Sequence, residues 1–184
     1  MRIAMRARVA ALAAWSALAL PGGASAQEVF AGLYAHGVDT PFTLYTGEEG
    51  ADLAIGVRLA PIEALRPIGA PAPCVIGSVN SVGDTSFAGA GLSWRFGQGP
   101  VYVRPAVALV VHDGPEYRAD AERGQRTDLG SRVLFEPELG IGYQVNERLS
   151  VEASWMHISQ GRLFNWEQNP GVDMMGARVN WRLR

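Results

Sequence analysis

The stretch MGARVNWRL, residues 175–183, alternates apolar and polar side chains over its whole length. Successive side chains of a β-strand point to opposite faces of a sheet, so a period of two predicts a strand with one apolar face. The apolar face of this segment would carry Met175, Ala177, Val179, Trp181 and Leu183.

Seven further segments alternate in a similar way. They are residues 29–35, 53–59, 74–79, 92–96, 101–111, 133–145 and 149–155. Helical domains are disfavoured by the 22 glycines, because glycine is costly inside helices. The sequence therefore predicts eight strands in one all-β domain, since 184 residues are too few for two comfortable domains.

Charge and cysteine content exclude several function classes. The net charge is −2 and the sequence has no basic stripe to neutralise phosphates, so no nucleic-acid partner is expected. A single cysteine, Cys74, rules out both a disulfide framework and a thiolate metal cluster. We expect Cys74 to be a small residue that is buried or faces lipid.

The first 26 residues have the pattern of a cleaved signal peptide. Three arginines precede an apolar run at residues 9–20, and residues 24–26 read Ala-Ser-Ala, an A-x-A cleavage site. The alternative is an N-terminal helix of the domain. We expect a signal peptide at 1–26 and a mature chain at 27–184 that is exported from a bacterial cell. Beyond residue 26, no run reaches the roughly 18 apolar residues that a membrane helix needs.

The connections between the predicted strands alternate in length. Residues 97–100 and 146–148 are short turns, whereas residues 37–50, 112–131 and 160–172 are long and polar. Outer-membrane barrels have tight periplasmic turns and larger external loops. The pattern predicts an eight-stranded antiparallel transmembrane β-barrel, with the proline-rich connection at 61–73 as an exception on the periplasmic side.

Charged residues of both signs share the face that would point into this barrel. An eight-stranded lumen is just filled by side chains, and buried charges need partners. The inward set is Arg95, Arg104, Arg178, Arg182, Glu136, Glu138 and Glu152, while Trp94, Trp155 and Trp181 fall on the outward face. A soluble sandwich, or a lipocalin-like periplasmic binder, would reverse the two faces and stays open as an alternative.

The end of the seventh strand carries a candidate catalytic group. His157 and Ser159 lie two and four residues after Trp155 and therefore share its lipid-facing side of the strand. Polar groups without a function are costly on a surface that faces lipid. An imidazole and a hydroxyl two residues apart on one strand face can meet, which is the pairing that activates a serine nucleophile. Asp173 has the matching parity at the start of the adjacent strand, so it can orient the imidazole.

A simpler explanation of the His157–Ser159 pair is a polar feature of the barrel rim. The other two histidines, His36 and His112, lie beside predicted loops and are expected to be solvated. The segment 169–171, Asn-Pro-Gly, is first of all a turn.

Four segments resemble the lipid A 3-O-deacylase family, the PagL-type, acyloxyacyl hydrolase-like outer-membrane enzymes. They are residues 129–135 (LGSRVLF), 139–143 (LGIGY), 157–159 (HIS) and 169–173 (NPGVD). The resemblance implies an eight-stranded barrel in the bacterial outer membrane that hydrolyses the 3-linked acyl ester of lipid A. It implies Ser159 as nucleophile, His157 as general base and Asp173 as the orienting acid. Asn169 matches an asparagine that helps to order the loop near the site.

One position departs from the family pattern. The family has asparagine after the catalytic serine, where this chain has Gln160. The segment 159–173 is also about two residues longer than in well-known members. Gln160, Gly161 and the backbone after Ser159 are the expected supports of the oxyanion.

The resemblance also implies the partners. We expect lipid A or lipopolysaccharide as substrate and outer-membrane lipid around the barrel, and we leave a homodimer open. The residues suggest no metal and no organic cofactor. The competing hypothesis is a catalytically silent barrel with a structural or adhesion role, in which long loops such as 112–131 bind a partner.

Overall fold

The computed structural model describes residues 26–43, 47–114, 118–120, 125–127, 129–163 and 171–183. Eight long strands form the body of the protein: β1 (Ala26–His36), β2 (Ala51–Leu59), β3 (Ala72–Asn80), β4 (Phe87–Ser93), β5 (Val101–His112), β8 (Val133–Gln144), β9 (Leu149–Ile158) and β10 (Val172–Arg182). Two short strands, β6 (Arg118–Asp120) and β7 (Gln125–Thr127), pair only with each other and form a hairpin inside the connection from β5 to β8.

The eight long strands close into an antiparallel barrel in the order β1-β10-β9-β8-β5-β4-β3-β2. Closure comes from β1, which pairs with both β2 and β10. The predicted eight-stranded antiparallel barrel is thus confirmed. The predicted signal peptide lies outside the described residues except for Ala26, where β1 begins.

The two ends of the barrel differ in the length of their connections. β5 follows β4 after residues 94–100, and β9 follows β8 after residues 145–148. The opposite end carries the three long connections 37–50, 113–132 and 159–171, together with the shorter connection 81–86. Because the external loops of such barrels are the longer ones, we name the end with these three loops the outer end.

The connection from β2 to β3 lies at the periplasmic end and contains a 3₁₀ segment, Glu63–Ile68. The Trp94 indole donates a hydrogen bond of 2.8 Å to the carbonyl of Ile68, which ties this connection to the mouth of the barrel. No described helix is long and apolar enough to cross a membrane.

The outside of the barrel is apolar. Large exposed side chains occupy alternate positions along the strands, among them Leu33, Leu53, Leu109, Ile141, Val151, Met175, Val179 and Trp181. A soluble protein rarely exposes so extensive an apolar surface. The distribution contradicts the soluble-sandwich alternative and fits a barrel surrounded by lipid.

The lumen holds the charged residues that the inward parity predicts. Arg178 contacts both Glu138 and Glu152, and Arg104 donates to Glu152 over 2.7 Å. Glu136 is also buried. Of the predicted inward set, Arg95 and Arg182 instead lie at the periplasmic mouth, where they line a cavity of about 500 Å³. Side chains just fill an eight-stranded barrel, so buried charges of opposite sign inside it stabilise one another by pairing.

The fourth strand is displaced from its predicted position. The sequence predicts it at 92–96, whereas β4 spans Phe87–Ser93. Small residues at 88–91 give no alternation in hydropathy, although they allow β4 to pack closely on β5: a Cβ at Gly91 would lie 2.0 Å from the carbonyl oxygen of Val107. Trp94 and Phe96, which carried the apparent pattern, belong to the periplasmic turn.

Candidate active site

The pairing of β9 with β10 brings two of the predicted site residues together. His157 lies directly opposite Asp173 in the antiparallel register. Side chains opposite each other in such a pair are on the same face and within contact distance. His157 Nδ1 and Asp173 Oδ1 are 2.7 Å apart, with the His157 side chain 13% exposed and that of Asp173 completely buried.

Three more side chains contact the Asp173 carboxylate. The Trp155 indole Nε1 donates to Oδ1 over 2.9 Å. The hydroxyls of Thr40 and Thr43, in the loop after β1, both donate to Oδ2, Thr43 over 3.1 Å. The carboxylate therefore has a donor at each of its four main acceptor positions, which fixes the orientation of the oxygen that faces the imidazole.

Ser159 follows β9 at the next outward position after His157. Its backbone forms a reciprocal pair with Phe135 on β8, with N–H to carbonyl distances of 2.8 and 3.0 Å. The residue is 7% exposed. Within the described chain, no hydrogen bond joins the Ser159 hydroxyl to the imidazole of His157. The structure thus assembles the His–Asp contact and places Ser159 two residues further along the same strand direction, without a direct hydrogen bond to His157.

The residues after Ser159 turn away from the strand. Gln160 is completely buried, and its carbonyl accepts the N–H of Leu163 over 3.2 Å. Gly161 has a left-handed φ of 63°, and its N–H has no partner among the residues that the structure describes. Because the Ser159 N–H is used by Phe135, an oxyanion donor from this segment would come after Ser159. The predicted support Asn169 lies outside the described residues.

Gly171 packs directly against the ring of His157. A Cβ built at this position would lie 2.1 Å from Cε1 and 2.7 Å from Nε2 of the imidazole. Real side chains do not approach that closely, so a residue without a side chain is required here. Gly171, the last residue of the predicted turn, therefore covers the imidazole closely.

The loop after β1 is anchored at its base by a buried histidine. His36 contacts Asp52 through Nδ1 and Glu48 through Nε2, both over 2.7 Å. Burial raises the pKa of the Glu48 carboxyl, but hydrogen bonds from His36 and Thr85 outweigh it and hold that pKa below its usual range. Glu48 is thus ionised at neutral pH and pairs with His36.

The prediction that His36 and His112 are solvated is wrong. Both are buried, and His112 Nε2 lies 2.7 Å from the carbonyl oxygen of Ser131. Each histidine is the last residue of a strand and precedes a polar loop, which is why the sequence predicts exposure to solvent. Both side chains instead point into the outer end of the lumen. Cys74 is buried, as expected. Among the described residues, no group of three or more histidine, cysteine, aspartate and glutamate side chains is arranged to hold a metal ion.

Sequence reasoning missed Thr40, Thr43 and the hydrogen bond from Trp155. The two threonines belong to a polar loop more than a hundred residues away from Asp173 in sequence, so no periodicity connects them. The sequence indicates only that Trp155 lies on the outward face of its strand. That position is equally typical of an aromatic residue in contact with lipid, so it does not predict the hydrogen bond to Asp173.

The arrangement provides an imidazole oriented by a carboxylate, with a serine nearby on the same strand face. An imidazole whose Nδ1 is held by a carboxylate presents Nε2 as a proton acceptor. A serine hydroxyl lies two positions further along the same strand face. These groups lie near the outer end of a barrel with an apolar exterior.

The protein-family model described as PagL, lipid A 3-O-deacylase, matches residues 39–182 of the chain. This match covers more than half of the sequence, including His157, Ser159 and Asp173. No curated protein sequence matches the chain.

Three solved structures share the fold. The outer membrane enzyme PagL is 14% identical, with a TM-score of 0.59 over 85% of this chain and 99% of that one. Neisserial surface protein A is 14% identical, with a TM-score of 0.56 over 88% and 100%. The N-terminal β-barrel domain of Pseudomonas aeruginosa OprF is 8% identical, with a TM-score of 0.51 over 86% and 98%. At these identities the likeness supports the barrel architecture alone.

Proposed function

Because this outer-membrane β-barrel belongs to the lipid A 3-O-deacylase (PagL) family, we propose that it removes the 3-linked hydroxyacyl chain of lipid A by hydrolysis of its ester. The family assignment supports an ester hydrolase that acts on lipid A. The finer proposal is that Ser159, His157 and Asp173 perform the reaction as a catalytic triad.

The observation that carries this proposal is the 2.7 Å contact between His157 Nδ1 and Asp173 Oδ1 on the outward face of the barrel. A buried carboxylate on a lipid-facing parity is costly unless it has a purpose. The contact lies at the outer end, which is where a barrel in the outer membrane meets the lipopolysaccharide of the outer leaflet.

In the proposed reaction, the Ser159 hydroxyl attacks the carbonyl carbon of the ester while His157 Nε2 takes its proton. The C–O bond to the sugar breaks, and His157 returns the proton to the leaving sugar hydroxyl. Water then attacks the acyl-serine with His157 again as base, which releases a hydroxy fatty acid and restores the serine. Asp173 holds the imidazole in the tautomer that leaves Nε2 available and stabilises its charged form. The cycle consumes one water and needs no metal or organic cofactor.

The oxyanion formed in each step needs donors aimed at the carbonyl oxygen. The Gly161 N–H supports this role, since it lies two residues after Ser159 and is not used by another described group. Gln160 and Asn169 remain the other predicted supports.

The proposal is tested by the mass of lipid A in a host that makes the hexa-acylated form. Production of the full chain should reduce lipid A by one 3-hydroxyacyl chain and release the free hydroxy fatty acid, whereas the same host with an empty vector should keep six chains. Unchanged lipid A, despite a membrane-inserted barrel that migrates heat-modifiably on a gel, would contradict the proposal and favour the structural or adhesion barrel.

A substitution of Gly171 by alanine should slow the reaction without unfolding the barrel. The added Cβ would lie 2.1 Å from the His157 ring, so the imidazole must move and its bond to Asp173 must lengthen. A misplacement of about 1 Å in a catalytic group costs on the order of 100-fold in rate. We expect a 10- to 100-fold loss, measured as the initial rate of hydroxy fatty acid release from purified lipid A.

Gly99 provides a matched control for this substitution. It lies in a periplasmic turn, and a Cβ built there would have no atom within 4 Å. Gly99→Ala should therefore keep the wild-type rate. A Gly171→Ala rate equal to that of Gly99→Ala would show that close cover of the imidazole has no part in catalysis.

A further inference from the structure

The segment 38–43 of the loop after β1 contacts the site from outside β9 and β10. The Val38 N–H donates to the backbone carbonyl of Asp173 over 3.0 Å. The hydroxyls of Thr40 and Thr43 donate to the Asp173 side chain. The ring of Phe42 lies 5.8 Å from that of Trp155. One short segment thus contacts both Asp173 and Trp155, whose indole also donates to the Asp173 carboxylate.

We propose that Thr40 and Thr43 are positioning residues, which form a clamp on Asp173 and thereby hold His157 in its reactive orientation. The proposal deepens the proposed function and rests on it, because it concerns how the same acid is held. Among the described residues, the hydroxyls of both threonines bond to Asp173 and neither is hydrogen-bonded to the imidazole or to the Ser159 hydroxyl, so both act through Asp173.

The two carboxylate oxygens of Asp173 accept hydrogen bonds from different groups. Oδ1 receives the imidazole Nδ1 and the Trp155 indole, and Oδ2 receives the two threonine hydroxyls. An aspartate side chain can rotate about two bonds, and rotation would turn Oδ1 away from Nδ1. Donors on Oδ2 from a separate element oppose this rotation, since any movement of the carboxylate plane would break their bonds.

The clamp is itself held in shape by local hydrogen bonds. The Thr43 N–H donates to the Thr40 carbonyl over 3.3 Å, and the Phe42 N–H donates to the Thr40 hydroxyl oxygen over 3.1 Å. The Thr40 hydroxyl therefore accepts from its own loop while it donates to Asp173. Such a connection fixes the direction in which its hydrogen points.

The test replaces both threonines by valine, which has nearly the same shape and no hydroxyl. The Thr40→Val, Thr43→Val double variant should lower kcat about 10- to 100-fold on purified lipid A, while KM changes less than about threefold, because the groups position the acid and do not bind the substrate. The double serine variant restores both donors and should recover most of the wild-type kcat.

A second measurement reports on the clamp without any activity. In detergent micelles, the NMR signals of the His157 Nδ1–H and of the Trp155 indole Nε1–H should shift in the valine variant and return in the serine variant. An active wild-type enzyme with unchanged kcat and unchanged signals in the valine variant would overturn the clamp. If wild type is inactive, the proposed function fails, and the two NMR signals alone then decide whether the threonines hold Asp173.

Discussion

Replacing Ser159 by alanine is expected to abolish the loss of the hydroxyacyl chain from lipid A. The substitution removes the hydroxyl that would form the acyl-enzyme and leaves the backbone pairing with Phe135 intact. Loss of the nucleophile from a serine triad lowers kcat by on the order of 10⁶-fold, so lipid A in the hexa-acylated host should remain intact. Mass spectrometry of lipid A measures the outcome directly.

Two controls separate a catalytic role from a structural one. The residues of a triad act as a unit, so His157→Ala alone and the Ser159→Ala, His157→Ala pair should be no more than slightly worse than Ser159→Ala. Ser154 lies on the same strand but faces the lumen, where its hydroxyl donates to Glu138 over 3.2 Å. Ser154→Ala should therefore keep the wild-type rate. Full deacylation by a folded Ser159→Ala barrel would show that the nucleophile is another residue.

The fold could be predicted from the sequence because successive residues of a barrel strand face lipid and lumen in turn. Apolar and polar side chains therefore alternate along each strand. The strands with large alternating side chains, such as β9 and β10, are found where the sequence predicts them. The strand built from small residues, β4, is displaced by several positions, because glycine and alanine are compatible with lipid, lumen and turn alike. Hydropathy alone cannot fix the register of such a strand.

The candidate site could be predicted only along the strands. The contact between His157 and Asp173 follows from parity and from the antiparallel neighbourhood of two strand ends, both of which are readable in the sequence. The contacts of Thr40 and Thr43 depend on the path of a loop, and no repeat or alternation encodes that path. The same holds for Gly171, whose sequence context indicates a turn but gives no indication that a ring packs against it.

Replacing Arg178 by methionine is expected to destabilise the barrel strongly. The guanidinium is completely buried and contacts two carboxylates, Glu138 and Glu152, the latter through Nε over 2.5 Å. Removal of one member of a buried ion pair costs about 3–5 kcal/mol, because it leaves a charge without a partner in a medium that solvates it poorly. The free energy of unfolding, measured by urea titration in lipid vesicles, should fall by that amount.

The loss of stability should arise mainly from Glu138, because this carboxylate loses its charged partner. A second substitution at Glu138 therefore serves as an internal control. Glu152 keeps Arg104 and the Tyr102 hydroxyl, each over 2.7 Å, whereas Glu138 keeps the hydroxyl of Ser154. Adding Glu138→Gln to Arg178→Met removes the stranded charge and should restore part of the loss, about 1 kcal/mol or more. Val179→Ala, at the neighbouring lipid-facing position, should change stability by less than about 1 kcal/mol, since its side chain is half exposed. If Arg178→Met unfolds at the same urea concentration as Val179→Ala, the ion pairs of Arg178 do not stabilise the barrel. The clustering of charged residues in the lumen would then make no measurable contribution to the free energy of unfolding.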